Sequence, residues 1–545
     1  MTSDVSKTIW CGRNVAILAA LLFLVAIVFT AINLQISQRI GRLSSVPNYD
    51  DVVYLNSAST IYFLGKTQGI TKAAETLFGK ELHAPFPVLN GVAGFTIFGP
   101  NIKHIYYMLT LVVFTYLCFA AATLRRLPPL LFAGAVLGSL GLPFATACAL
   151  EFRPDMMWAT LLGGSSVLFL SARKPFEGWK ASVLYGVATG AVLLVKPSTF
   201  AMTLLVLGGT WFLAAMAALI GKRSTLREIL LGLACTFGAA LIVAGWYCIP
   251  HAKEIFNYFY ENSFGANKDV WIYRGSMWER LTYYVRGVAL YTNTAQFVFP
   301  LALVYIWGAV SDLVRGNDLF AKFRGGAFLW MLVCLFGVNA FFSMKSPFLG
   351  GSLYSFLIFG GFWYGARILQ VGIEEGWLLA RSRQCFASLA LVAIASCGYF
   401  FPEVCQLNPI TKRVQNRVNH SVLQALFKGI GAKKRAAILL TQGNPIVGEN
   451  LQMEFRAKGK RLVVISGAFC RDVNEVVDLS RKADFVALQD QKMVGSPGDA
   501  IPSEQIQPQL IALFRSSPDW VLIGEYPDTG GKKAYLYQRR VPAQP

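Results

Sequence analysis

Two adjacent carboxylates, Asp50 and Asp51, lie shortly beyond the first long apolar stretch, in the run Pro47-Asn48-Tyr49-Asp50-Asp51-Val52-Val53-Tyr54. Close to a membrane surface, such a pair can act as a general base or hold a cation. A simpler reading is helix capping, because an Asp that follows Pro and Asn often starts a helix. Capping accounts for one carboxylate. Two adjacent negatives repel unless something nearby stabilises them.

Further chemistry-bearing residues fall in short polar breaks between apolar stretches. Glu151-Phe152-Arg153-Pro154-Asp155 places three charges in five residues. That is costly unless they meet water or one another, and an internal pairing of Arg153 with Asp155 or Glu151 would explain it structurally. Lys196, before Pro197, and Lys345, before Ser346-Pro347, are single cations at the ends of apolar stretches. Alone, each reads as a snorkelling anchor. Together with Arg153 they put a positive charge into each short break, which suits a phosphate headgroup. The stretch 251–286 adds His251, Arg274 and Arg280 among Tyr258, Tyr260, Trp271, Tyr273 and Trp278. Such aromatics form interfacial belts, and their faces also suit sugar rings. The polar, Gly-containing run 263–269 has the composition of a mobile loop over a site.

The elements that must position these residues are set by hydropathy. Of 545 residues, 54% are hydrophobic and 15% charged, and the apolar ones come in blocks rather than at helical or strand period. A span needs about 20 apolar residues. The first block, 15–32, follows Lys7 and Arg13, as a signal peptide would. It is long for one and no clear cleavage site follows, so it reads as an uncleaved span. Further blocks lie near 105–123, 130–150, 156–171, 181–195, 199–220, 229–250, 287–311, 326–343, 350–371 and 385–401, about eleven in all. The first block with the C-terminal limit of the last predicts a polytopic α-helical domain over 1–401, with exterior loops at 35–104 and 251–286.

Basic clusters such as Arg125-Arg126, Lys222-Arg223 and Arg381 alternate with loops holding one basic residue. By the positive-inside rule the N-terminus is cytoplasmic and Asp50, Arg153, Lys196 and Lys345 share the exterior face. The net charge of +20 is then a topological signal that also favours anionic lipid headgroups. The loops are too short to house a nucleic-acid-binding module. Six of the ten cysteines lie within apolar blocks, where they act as small hydrophobes, and only Cys405 and Cys470 could pair outside.

From 402 to 545 the pattern changes. Strands are expected at 436–440, 461–466, 484–488, 519–524 and 533–538, with helices near 449–457, 474–482 and 503–515, which predicts a small exterior α/β domain. The run Gly443-Asn444-Pro445-Ile446-Val447-Gly448 follows a strand but is neither a Walker loop nor a GxGxxG turn, and Pro445 removes a backbone donor that a phosphate cradle would use. Docking or acceptor recognition suits this domain better than nucleotide binding.

In these residues the chain resembles the GT-C superfamily of integral-membrane glycosyltransferases. Within it, the likeness is to the bacterial branch of protein O-mannosyltransferases, aminoarabinose transferases and Rgt-type lipopolysaccharide transferases. The carriers are Asp50-Asp51, the His83-x-Pro85 turn leading to Phe98-Gly99-x-Asn101, Arg153-Pro154-Asp155, and Leu194-Val195-Lys196, all within the first 200 or so residues. The chain has Asp-Asp where the family often has Asp-Glu or one Asp, and it lacks a lysine that relatives often carry near His83. That shifts the phosphate contact to Arg153, Lys196, Arg274 or Lys345.

The resemblance implies a polyprenyl-phosphate-linked sugar as donor and a hydroxyl acceptor on a lipid, glycan or protein. It also implies inversion at the anomeric carbon, an aspartate base, and a bacterial inner-membrane enzyme working on the periplasmic face. His83, Arg153, Asp155, Lys196, Arg274, Lys345, Tyr54 and Trp271 are the expected substrate contacts, with Asp50 favoured over Asp51 as base. No cofactor is expected, a carboxylate-bound divalent ion being the alternative. The competing function is a transporter or lipid flippase, which would place ionisable groups mid-span and show related halves. Here the charges gather in the loops.

Overall fold

The structure, a computed structural model, describes residues 12–40, 42–44, 50–80, 84–172, 174–265, 273, 275–286, 292–341, 350–374, 409–431, 433–441, 448–468, 470–490, 502–527 and 533–540. The expected span at 385–401, Cys405, most of the 443–448 run and residues 266–269 of the glycine-containing loop lie outside them.

Among the described residues, sixteen helices precede the C-terminal region. They are α1 Gly12–Ile40, α2 Asp50–Gln68, α3 Ile70–Lys80, α4 Pro85–Phe98 and α5 Ile102–Leu124. Then come α6 Pro129–Ser139, α7 Pro143–Leu150, α8 Pro154–Ser171, α9 Lys180–Val195, α10 Pro197–Ile220 and α11 Leu226–Cys248. The set closes with α12 Ala252–Ser263, α13 Met277–Arg286, α14 Thr292–Arg315, α15 Leu319–Phe341 and α16 Gly351–Glu374.

Among the described residues, seven helices are long and apolar enough to cross a membrane, or eight if α6 and α7 form one bent span. That is fewer than the eleven expected from hydropathy, for identifiable reasons. The block at 130–150 is broken by 61° between α6 and α7, where Pro143 cannot donate a helical hydrogen bond. The 181–195 block forms α9, which is too short on its own. The 156–171 block forms α8, eighteen residues long and buried along most of its length.

Burial separates centre from rim. In α16, 61% of the apolar window is buried, against 17% in α1, so α16 sits centrally and α1 presents Leu21, Leu24 and Val28 outward. Close approach around α16 depends on glycine: a Cβ on Gly163 of α8 would lie 2.3 Å from Ser355 Oγ and 2.8 Å from Phe356 N. Polar groups at the far end are matched. Asp312 of α14 accepts from Arg324 of α15 (3.1 Å) and Arg367 of α16 (2.7 Å), which ties three helices together.

The segment expected as the first exterior loop folds into α2, α3 and α4. The residues after the acidic pair form α2, which buries Asp51, Val52, Tyr54, Leu55, Ala58, Ser59 and Ile61 on one side. It lies against α4 so closely that a Cβ on Gly91 would stand 2.6 Å from Ala58 Cβ.

The C-terminal region follows the expected alternation: α17 Pro409–Ile430, β1 Arg435–Leu440, α18 Gly448–Ala457, β2 Arg461–Ser466, α19 Val473–Ser480, β3 Phe485–Gln489, α20 Gln507–Ser516, β4 Trp520–Pro527 and β5 Lys533–Arg539. The sheet order is β2-β1-β3-β5-β4, with β1 parallel to β2 and β3, and β5 antiparallel to β3 and β4. Period-two alternation sends Ile438, Leu440, Phe485 and Leu536 towards α17 and α18. Leu439, Val486, Leu488 and Tyr537 face α19 and α20. Cys470 is a buried free thiol.

Candidate active site

Consecutive helical residues are turned by about 100°, so two adjacent aspartates cannot face the same way. The first turn of α2 uses this. Asp51 is fully buried and accepts from the Tyr106 hydroxyl (2.9 Å) and the Phe152 backbone N–H (3.2 Å). The Asp50 side chain is 60% exposed and meets Arg153 Nη2 at 2.6 Å. One carboxylate thus faces solvent and the other anchors the helix in the bundle.

Arg153 stands at the entry to α8, where Pro154 takes the first helical position and Asp155 the first turn. Both are favourable there, Pro because its missing N–H is not needed and Asp because it faces the positive end of the helix dipole. Arg153 Nε also reaches Asp155 (3.3 Å), and Asp155 in turn accepts from Lys196 Nζ (2.7 Å). Asp50, Arg153, Asp155 and Lys196 therefore form one alternating chain of charges, contributed by α2, the entry to α8 and the end of α9. Burial opposes the charge on Arg153, but Asp155, Asp50, Glu151 and Asp51 outweigh it and hold its pKa above the ordinary guanidinium value.

Phenols complete the surroundings. Burial, followed by the charges of Asp155 and Asp50, holds the Tyr54 hydroxyl well above its usual pKa. Burial and the same two carboxylates push Tyr258 of α12 up to about 12. Both phenols therefore keep their protons near neutral pH.

Six residues singled out in the sequence, Asp50, Asp51, Tyr54, Arg153, Asp155 and Lys196, are thus brought together. His83, Trp271, Arg274 and Lys345 lie outside the described residues. Three participants escaped the sequence reading. Tyr106 holds Asp51, the Phe152 backbone does the same, and the Trp158 ring underlies Lys196 at 5.8 Å while its indole donates to Thr203 (3.0 Å). Trp158 had a legible signal, since it lies three residues after Asp155 on one helical face. Tyr106 had none. Among the described residues, no group of three or more His, Cys, Asp or Glu side chains is placed to hold a metal ion.

No protein-family profile and no curated protein matches the chain by sequence. Solved structures do match in fold. ArnT from Cupriavidus metallidurans in the apo state aligns with a TM-score of 0.59 and 13% identity, over 93% of this chain and 97% of that one. ArnT bound to undecaprenyl phosphate gives 0.57 and 12% identity, over 96% and 98%. The arabinofuranosyltransferase AftD from mycobacteria gives 0.48 and 12% identity, over 95% of this chain and 40% of that one. The chain shares its fold with ArnT.

Proposed function

We propose that this protein is a membrane glycosyltransferase that moves a sugar from a polyprenyl-phosphate carrier to a hydroxyl acceptor, with Asp50 as general base. The observation that carries the reading is the division of the acidic pair. The Asp50 carboxylate is open to solvent beside a largely buried arginine, in a fold whose counterpart binds undecaprenyl phosphate. The acceptor oxygen attacks the anomeric carbon from the face opposite the phosphate and forms the new C–O bond. Its proton passes to Asp50, and the bond from the anomeric carbon to the phosphate oxygen breaks. The lipid phosphate leaves with the electron pair, and the configuration inverts.

Negative charge develops on the leaving phosphate, where a fixed cation is worth most. Arg153 is suited to that task, because turning from Asp50 to the phosphate frees the base at the same moment. Asp155 keeps its hold on Arg153 throughout, and Lys196 fixes Asp155. Tyr54 and Tyr258 donate to the sugar or phosphate. His83, Arg274 and Lys345 supply further phosphate contacts, and Trp271 stacks on the sugar. The reaction needs no cofactor. The protein resides in a bacterial inner membrane with its N-terminus in the cytoplasm and the C-terminal domain, from residue 402, in the periplasm. Acceptor hydroxyls on a lipid, a glycan or a protein all fit this chemistry.

The test is transfer of labelled sugar from polyprenyl phosphate in proteoliposomes. Asp50→Asn is expected to lose about 10²-fold or more in kcat, the usual contribution of a positioned base. A folded Asp50→Asn protein working at the wild-type rate would falsify the assignment.

A further inference from the structure

Helix α18 belongs to the C-terminal sheet region, yet it faces two ways. Leu451 and Phe455 pack into the sheet core, while Met453 is buried in the core of the membrane helices. Gln452 and Arg456, one turn apart, both reach Asn56 in the middle of α2. Asn56 Nδ2 donates to Gln452 Oε1 (2.8 Å). Arg456 Nη2 donates to Asn56 Oδ1 (2.8 Å), and its Nη1 donates to the Asn56 carbonyl (3.3 Å) and to Ser59 Oγ (3.2 Å). The amide of Asn56 is thus held at both ends, and a planar guanidinium spans one turn, from Asn56 to Ser59, of the helix that begins with Asp50.

All the Arg456 acceptors are neutral. Burial without a counter-charge pushes its pKa down to about 10. A half-buried cation on neutral acceptors is a poor way to gain stability, whereas its fixed fork geometry is a good way to fix orientation. We infer that Arg456, with Gln452, is a positioning residue that clamps α2 and so sets where the Asp50 carboxylate stands. The C-terminal region is then a working part of the catalytic unit. This rests on the reading of Asp50 as the base.

Arg456→Ala and Asn56→Ala are compared in proteoliposomes with the full-length protein, with Arg456→Lys as the conservative variant. Two readouts are taken: steady-state transfer, and amide hydrogen exchange across 50–68. Each alanine variant is expected to lower kcat by about tenfold to a hundredfold through a misplaced base, with KM for the lipid donor little changed. Exchange in α2 should quicken. The double variant should lose less than the product of the two single losses, since the Arg456–Asn56 side-chain bond is common to both, and Arg456→Lys should recover part of kcat. Unchanged α2 exchange overturns the clamp. Faster exchange with wild-type kcat overturns its catalytic role. If the wild-type protein transfers no sugar, the glycosyltransferase reading fails while the exchange data still decide the clamp.

Discussion

At the residue scale, two identical neighbours do different work because a helix turns between them. Asp51, held by Tyr106 and Phe152, is expected to matter for stability as well as rate. Tyr106→Phe removes one hydrogen bond to a charged, buried group, a loss of about 1.5–3 kcal/mol, and should lower the melting temperature without abolishing transfer. Asp50→Asn should do the reverse, leaving melting near wild type while transfer falls. A melting temperature that drops more for Asp50→Asn than for Tyr106→Phe would contradict this division.

Arg153 is the second residue-scale case. Its Nη2 and Nε serve Asp50 and Asp155 separately. A lysine has one charged nitrogen and no fork. Arg153→Lys should therefore lose most of the activity of Arg153→Ala in the same assay, rather than behave as a mild change. The pairing of Arg153 with Asp155 was one of the readings open in the sequence. That Arg153 also bridges to Asp50 was not, because the two are about a hundred residues apart and nothing local couples them.

At the scale of elements, α2 is kept in place from three sides: by α4 at Gly91, by the loop before α8, and by α18. Ala58 and Gly91 already stand too close for any added carbon. Gly91→Val should push α2 outwards and reduce kcat, while Gly79→Val, whose added Cβ would meet nothing within 4 Å, should be silent in the same transfer assay. Alternation and turn residues made the strands legible, and sustained hydropathy made most of the apolar blocks so. What hydropathy alone obscured was the bend at Pro143, which does not change the average polarity that a window measures.

For the whole molecule, the charge pattern predicts an orientation that can be tested directly. In a background without reactive native cysteines, Gln68→Cys should react with a membrane-impermeant maleimide added outside spheroplasts. Glu177→Cys should react only after lysis. Both positions are exposed, so a reversed pattern would put the acidic pair in the cytoplasm and remove the periplasmic assignment. A second whole-molecule expectation concerns metal: transfer should survive exhaustive chelation with EDTA, and its loss would instead place a divalent ion on the open Asp50 carboxylate. The soluble-looking C-terminal region was recognisable from its strand pattern, but its grip on α2 was not. The two partners of that contact are separated by 400 residues.

That separation has a meaning for biogenesis. Synthesis runs from the N-terminus, so Asp50 and Asp51 emerge long before Phe152 and Arg153, and longer still before Arg456. A nascent chain halted at any point short of α18 carries the acidic pair without its final restraint. On the clamp reading, completion of the site therefore waits for α18, and a product truncated before that helix would lack the restraint.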